Sequence, residues 1–302
     1  MLKRLWVYQR ERFPLVSHGL LIAAFSACAL AFCAFARGAS LPNGWLLAAG
    51  FGSSLLFFLQ LRIADEWKDA AEDATFRPYR PVPRGLVTLG ELGWIGVCAA
   101  LVQLTIALAV TPRLIPLLLG VWAYFALMSR EFFVGPWLRA HPVAYLASHM
   151  AIMPMIDAYV SAFDWLVARQ PAPPALTWFL GVTFCNGLVV EIGRKLRAPH
   201  DEEPGVQTYS ALWGRSRAAI VWCLAFALTA VVATIAASRI AFGLLDAGVF
   251  IAALLAATVC AIVYIRRPSR QHARRIEQFS GAWTVIMYLA LGLAPFAVKA
   301  VR

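Results

Sequence analysis

Nine long apolar runs, separated by short polar connections, dominate the chain: residues 15–36, 45–63, 89–110, 114–128, 143–163, 176–190, 218–238, 240–265 and 279–298. Crossing a hydrocarbon core takes about 20 helical residues. Most of these runs reach that length, and the fourth and sixth fall short of it. Backbone in lipid must satisfy its own hydrogen bonds, so such runs are expected to be helices, with Pro116 and Pro154 tolerated as kinks. The pattern predicts an all-α polytopic membrane protein, with residues 1–302 forming one transmembrane domain.

The basic residues sort by loop parity. Of the 27 Lys and Arg residues, 21 lie before the first run or in the even-numbered connections. Only Arg37, Arg113, Arg169, Arg239, Lys299 and Arg302 fall on the opposite side. Under the positive-inside rule the N-terminus and the basic connections are cytoplasmic, the C-terminus lies outside, and the membrane is of the bacterial inner type. An odd number of spans is required for this sorting to hold. A cleaved signal peptide is the rival reading of the first run, since Ala34-Phe35-Ala36 resembles a cleavage site. However, about 22 apolar residues exceed the usual h-region of about 7–15, which favours a retained span. Residues 1–14 mix Lys3, Arg4, Arg10 and Arg12 with Leu5, Trp6, Val7 and Phe13, the composition of an interfacial helix.

Composition sharpens this picture. The chain is 61% hydrophobic and 14% charged, with a mean hydropathy of +0.69. A soluble domain carries about 25% charged residues. The net charge of +11 would fit nucleic acid, but the loop sorting explains it as topology, so no nucleic-acid partner is expected. Cys28, Cys33, Cys98, Cys185, Cys223 and Cys260 all fall in apolar runs without Cys-x-x-Cys spacing, which argues against zinc and disulfide frameworks.

Two polar connections carry candidate chemistry, both on the basic side. The first contains Asp65, Asp69 and Asp73, spaced i, i+4 and i+8. On a helix each step rises about 6 Å and drifts about 40°, so the three carboxylates share a face at the end of the second run. Carboxylates so close repel one another, and a divalent cation removes that cost. Mg²⁺ prefers a few carboxylates completed by water and phosphate oxygens. Asp65 and Asp69 with Lys68 also fit a solvated helix face held by i,i+4 charges. The second connection repeats the theme, with Glu191, Arg194, Lys195 and Arg197, then His200, Asp201, Glu202 and Glu203, then Thr208 and Tyr209. Two such clusters following spans on one side are harder to explain as solvated surface.

These motifs resemble those of the UbiA superfamily of intramembrane prenyltransferases. Its first motif, N-x-x-x-D-x-x-x-D, maps onto Asp65 in the Asn position, then Asp69 and Asp73. Arg80-Pro81-Val82-Pro83-Arg84-Gly85 matches the family's downstream stretch and fixes that register. The second aspartate-rich motif departs from the pattern. Glu191 stands at its first acidic position, Lys195 occupies the position four later, and the acidic run is displaced to Asp201–Glu203. The resemblance implies nine helices around a central apolar cavity, capped on the cytoplasmic side by the two motif loops. It also implies a Mg²⁺-dependent transfer of an isoprenyl group from its diphosphate to an aromatic or lipid acceptor. Asp65, Asp69, Asp73, Glu191 and Asp201 are the implied metal ligands, with the first four in the catalytic set. Arg77, Arg80, Arg194 and Lys195 are the implied diphosphate contacts.

Other polar residues in the spans remain open in role. Asn186 precedes Glu191 by just over one turn and is placed to approach the diphosphate. His149 and Asp157 share a helix face and read either as cavity-lining acceptor contacts or as interhelical pairs. A carboxylate near mid-bilayer costs about 2.5–3.5 kcal/mol, so Asp157 needs a cavity or a partner. Arg130 and Glu131 read as interfacial anchors. Arg266 to Arg275 read as a topology signal with anionic-lipid contact as the next reading. Two other functions compete: terpene cyclisation at the same diphosphate site, and transport. No paired broken helices at matching positions support the transporter.

Overall fold

The structure is a computed structural model describing residues 2–203, 205–240 and 243–301. Fifteen α-helices and three short 3-10 turns make up its secondary structure, and no strand occurs among the described residues. The helices are α1 (Leu2–Arg12), α2 (Leu15–Ala36), α3 (Gly44–Lys68), α4 (Ala70–Phe76), α5 (Leu89–Val110), α6 (Ile115–Ser129), α7 (Gly135–Ala140) and α8 (Pro142–Met150). They continue with α9 (Ile152–Trp165), α10 (Leu176–Arg194), α11 (Tyr209–Trp213), α12 (Arg215–Arg239), α13 (Gly243–Arg266), α14 (Arg270–Gly292) and α15 (Ala294–Val301).

Among the described residues, eight helical segments are long and apolar enough to span a membrane. A ninth appears when α14 and α15, bent by 44°, are taken as one span. Among the described residues the nine expected runs are therefore helical, with two refinements. The fifth span is broken at Ala151 into α8 and α9, and the last bends at Leu293.

Local signals fix several boundaries. Asn43 Oδ1 accepts from Leu46 N at 2.9 Å and caps α3, supplying a partner for one of the helix's unpaired donors. Thr88 and Glu91 form a reciprocal capping box at the start of α5, which satisfies two more. The bundle centre forms where α2, α9, α10 and α14 pack on one another. Phe32, Tyr159, Phe179 and Tyr288 fill it, each almost wholly buried. α14 can approach α2 this closely because residue 292 is glycine: a Cβ there would collide with the Cys28 backbone. Small residues permit such contacts between helices in lipid, where packing replaces the hydrophobic drive.

Residues Leu2–Arg12 form α1. Arg12 Nε donates to Glu66 at the end of α3, Arg4 pairs with Glu91 at 2.8 Å, and Glu11 pairs with Arg84 at 2.8 Å. An apolar cavity of about 780 Å³ lies between α1, α3 and α5.

Candidate functional site

α3 ends at Lys68, and the chain bends at Asp69 (φ −89°, ψ 2°) before α4 begins. The i,i+4 backbone ladder nevertheless runs through the bend. Asp69 N bonds Asp65 O at 2.9 Å, Asp73 N bonds Asp69 O at 2.8 Å, and Arg77 N bonds Asp73 O at 2.9 Å. The three aspartates therefore remain one turn apart, yet their side chains meet different surroundings. The Asp65 carboxylate is half exposed and only loosely paired, 3.5 Å from Arg62 Nη1. Asp69 makes no ion pair among the described residues, and burial together with the Asp65 and Asp73 carboxylates pushes its carboxyl above the usual aspartate range. Asp73 is buried and engaged: Arg80 Nη1 donates to both its oxygens at 2.9 and 2.7 Å, and Arg77 Nε lies 3.1 Å away.

The stretch that fixed the motif register folds as a compact turn over this end. Arg84 N bonds Arg80 O at 3.1 Å and Gly85 N bonds Val82 O at 3.0 Å. Gly85 takes a φ of +75°, a left-handed value that glycine reaches without strain. The turn thereby places Arg77 and Arg80 around Asp73.

The end of α10 faces this region. Glu191 is buried, in close contact with Arg194, and its other oxygen lies 2.9 Å from Lys195 Nζ. Asp65 sits in the electric field of both Arg194 and Glu191, so the two motif ends adjoin. The second loop folds back beside them. Tyr209 N bonds Lys195 O at 3.1 Å, and Lys195 Nζ stands 5.6 Å over the Tyr209 ring. Burial and the neighbouring Glu191 carboxylate push the Tyr209 hydroxyl far up. Glu202 closes the loop by accepting from Thr208 at 2.6 Å and Ser210 at 2.7 Å.

Residues 21–292 match the UbiA prenyltransferase family. The chain belongs to that family. No curated protein matches this UbiA chain. It is similar to a solved structure described as digeranylgeranylglyceryl phosphate synthase in membranes, with a TM-score of 0.60 and 12% identity. That likeness covers 96% of this chain and 97% of the other, and at such identity it speaks to the fold alone. Together with the apolar helices, family membership makes this UbiA protein an integral membrane protein.

Within this UbiA fold the remaining candidates separate. Asn186 is buried on α10, and neither of its amide atoms has a partner. Asp201 is drawn to a different helix, where Arg270 Nε donates to it at 2.8 Å. That bond also gives one arginine of the 266–275 cluster a side-chain partner. Asp157 finds interhelical partners, accepting from Thr183 at 2.5 Å and Tyr288 at 3.1 Å, while its second oxygen has none. His149 belongs instead to the motif end, stacked on Tyr145 at 3.9 Å between ring centroids.

Three participants entered with roles that the sequence did not give them. Tyr145 was not singled out, and Tyr209 was named only as the residue that follows the second acidic run. Glu131, read as an anchor, lies 3.0 Å from Lys68 Nζ. Its only signal was an acid in an otherwise basic connection.

As placed, no three His, Cys, Asp or Glu side chains among the described residues converge on a metal-sized site. The donor set still fits Mg²⁺, which is held by one or two carboxylates completed by waters and phosphate oxygens rather than by an all-protein cage. Asp65 and Asp69 supply such a pair. The end of α3 adds to their need for a cation, because the helix dipole places negative charge there.

Proposed function

We propose that this UbiA protein is a Mg²⁺-dependent intramembrane prenyltransferase that moves an isoprenyl group from its diphosphate to an acceptor in the bilayer. The observation that carries this reading is that Asp65, held only loosely by Arg62, and Asp69, without an ion pair among the described residues, lie together at the end of α3, where Asp65 feels the charge of Arg194 from the end of α10. In this reading Asp65 and Asp69 hold the metal. When bound there, the metal would supply the charge that offsets the diphosphate. Asp73 orients Arg77 and Arg80, which reach the diphosphate by exchanging one carboxylate contact for a phosphate contact. Arg194 and Lys195 stabilise the leaving group from the α10 side, with Glu191 setting their positions. Asn186, with its amide unspent, lies below them on α10 to receive a diphosphate oxygen. Asp201, tied to Arg270, takes no part as a ligand in this account.

The reaction breaks the bond between the isoprenyl C1 and the bridging oxygen, and diphosphate leaves with the electron pair. Fixed positive groups aimed at that developing charge lower the barrier. The allylic cation bonds to the acceptor, which then gives up a proton. The basic side, with both motif loops and the N-terminus, is cytoplasmic in this reading, and the C-terminus lies across the membrane.

Incubating purified protein with Mg²⁺ and a panel of isoprenyl diphosphates, with and without lipid extract, tests this directly. Diphosphate release that requires extract supports transfer. Release without extract, accompanied by a hydrocarbon or terpene alcohol, means cyclisation instead. No release from any donor under either condition removes the prenyltransferase reading.

A further inference from the structure

Lys68 stands three residues after Asp65 and one before Asp69, and a lysine so placed ordinarily pairs with the acid one turn back. It pairs with neither. Its Nζ lies 3.0 Å from Glu131 Oε1, donates to Tyr145 Oη at 2.5 Å, and lies 3.4 Å from His149 Nε2. The ammonium also sits 4.7 Å from the centre of the Tyr145 ring. Glu131 is well enclosed, and its second oxygen takes Arg139 Nη1 at 3.2 Å.

An unusual turn brings Glu131 to this position. Glu131, Phe132 and Phe133 have φ values of 49°, 53° and 60°, three successive residues in the left-handed region that side chains bearing a Cβ seldom adopt. The turn is closed by Phe133 N to Arg130 O and Val134 N to Glu131 O, each 3.0 Å. Phe132 anchors it against the Tyr124 ring at 5.4 Å. Residue 135 is glycine where any Cβ would collide with Glu131 Oε2. Backbone strain of this kind persists where the surrounding structure over-determines it, and it concentrates at functional sites.

We propose that Glu131 is a positioning residue: by holding Lys68 against Tyr145, it keeps the ammonium from neutralising Asp65 and Asp69 and leaves that pair free for a divalent cation. This inference rests on the proposed assignment of Asp65 and Asp69 to the metal. Without the clamp, Lys68 stands i,i+3 from Asp65, the spacing at which a lysine pairs with an acid on a helix, and a cation brought that close favours the charged form of the carboxylate and competes with a metal. The simpler alternative is that the Glu131–Lys68 pair only ties α3 to the segment before α8.

Mn²⁺ alone, titrated into the purified full chain and followed by the loss of its free-ion electron paramagnetic resonance signal, separates these readings. Wild type should bind Mn²⁺, and Glu131→Gln should bind it about tenfold more weakly, the size expected for a unit charge released next to a carboxylate pair. The double variant E131Q/K68M should return to within about twofold of wild type, because the two changes act through one contact. A merely structural clamp predicts no such rescue. Equal binding in wild type and E131Q, or a double variant as weak as E131Q, overturns the proposal. If wild type binds no Mn²⁺, or if D69N binds as well as wild type, the metal assignment itself falls and the clamp falls with it. Should E131Q not fold, Gly135→Ala displaces the same carboxylate, and the comparison is made with G135A alone and with K68M.

Discussion

Two helices, α3 and α10, end within reach of each other's charges, each with acids at its C-terminal end, and they treat those acids in opposite ways. At the end of α10, Glu191 is matched at once by Arg194 and Lys195 from its own chain. Basic residues in a last turn also suit the negative end of the helix dipole, so that corner carries its own compensation and a surplus positive charge. At the end of α3 the one lysine in the last turn is turned away to Glu131, and Asp65 and Asp69 are left short of a partner. The first end is built to receive a cation and the second an anion. Under the proposed function a metal-bound diphosphate is complementary to both, and Lys195 in the place of an aspartate then serves the anion rather than a second metal.

The sharpest way to break this comparison is at the first end. Asp69→Asn should lower turnover by about 10²–10³-fold, the range seen when one group stabilising transition-state charge is removed. Circular dichroism and monodisperse elution should be unchanged, since Asp69 makes no ion pair among the described residues. Full turnover in D69N, or full turnover of wild type in excess chelator, would remove the metal from the account.

The second end should respond through affinity for the anion. Neutralising Arg194 and Lys195 together, as R194Q/K195Q, should weaken binding of inorganic diphosphate by about ten- to a hundredfold, the worth of charged hydrogen bonds. R266Q/R267Q, in the other basic connection, should change it by less than about threefold, because exposed and distant charges are screened. Calorimetry reads both, and equal losses would mean general electrostatic attraction rather than a site.

Topology offers an independent check on the pairing of the two ends. Reporter fusions after Arg84 and after Gly214 should face the same compartment, and one at Arg302 should face the other. The smallest effect is expected at Gly135. G135A should shift the Glu131 carboxylate and weaken Mn²⁺ binding by about threefold, a cost well under 1 kcal/mol, and no change would show that the carboxylate adjusts freely.

Much of this architecture was legible because lipid imposes one rule on every span. Runs of apolar length must be helices, so the bundle could be read directly, whereas the break at Ala151 and the bend at Leu293 carried no signal in the apolar pattern. The spacing of Asp65, Asp69 and Asp73 likewise survived, because the i,i+4 ladder carries through the bend at Asp69. Which of those acids would be free was not legible. Asp73 is claimed by Arg80 from a turn seven residues on, and Lys68 by Glu131 from 63 residues away. Such partners are chosen by tertiary packing and leave no local pattern. The left-handed turn at 131–133 was hidden for a related reason: nothing in Glu-Phe-Phe signals positive φ, and no glycine marks it. Asp157 could be read as needing a partner, but only the packing of α9 on α10 and α14 shows that Thr183 and Tyr288 supply it.

The central claim is that carboxylates on α3 and bases on α10 hold one metal-bridged anion between them. Calorimetric titration of inorganic diphosphate into wild type and Asp65→Asn, each with and without Mg²⁺, tests that claim most directly. The account predicts tight binding by wild type that requires Mg²⁺, and a Mg²⁺ contribution lost in D65N while the weak residual binding from Arg194 and Lys195 remains. Diphosphate binding of equal strength with and without Mg²⁺, unchanged in D65N, would contradict it.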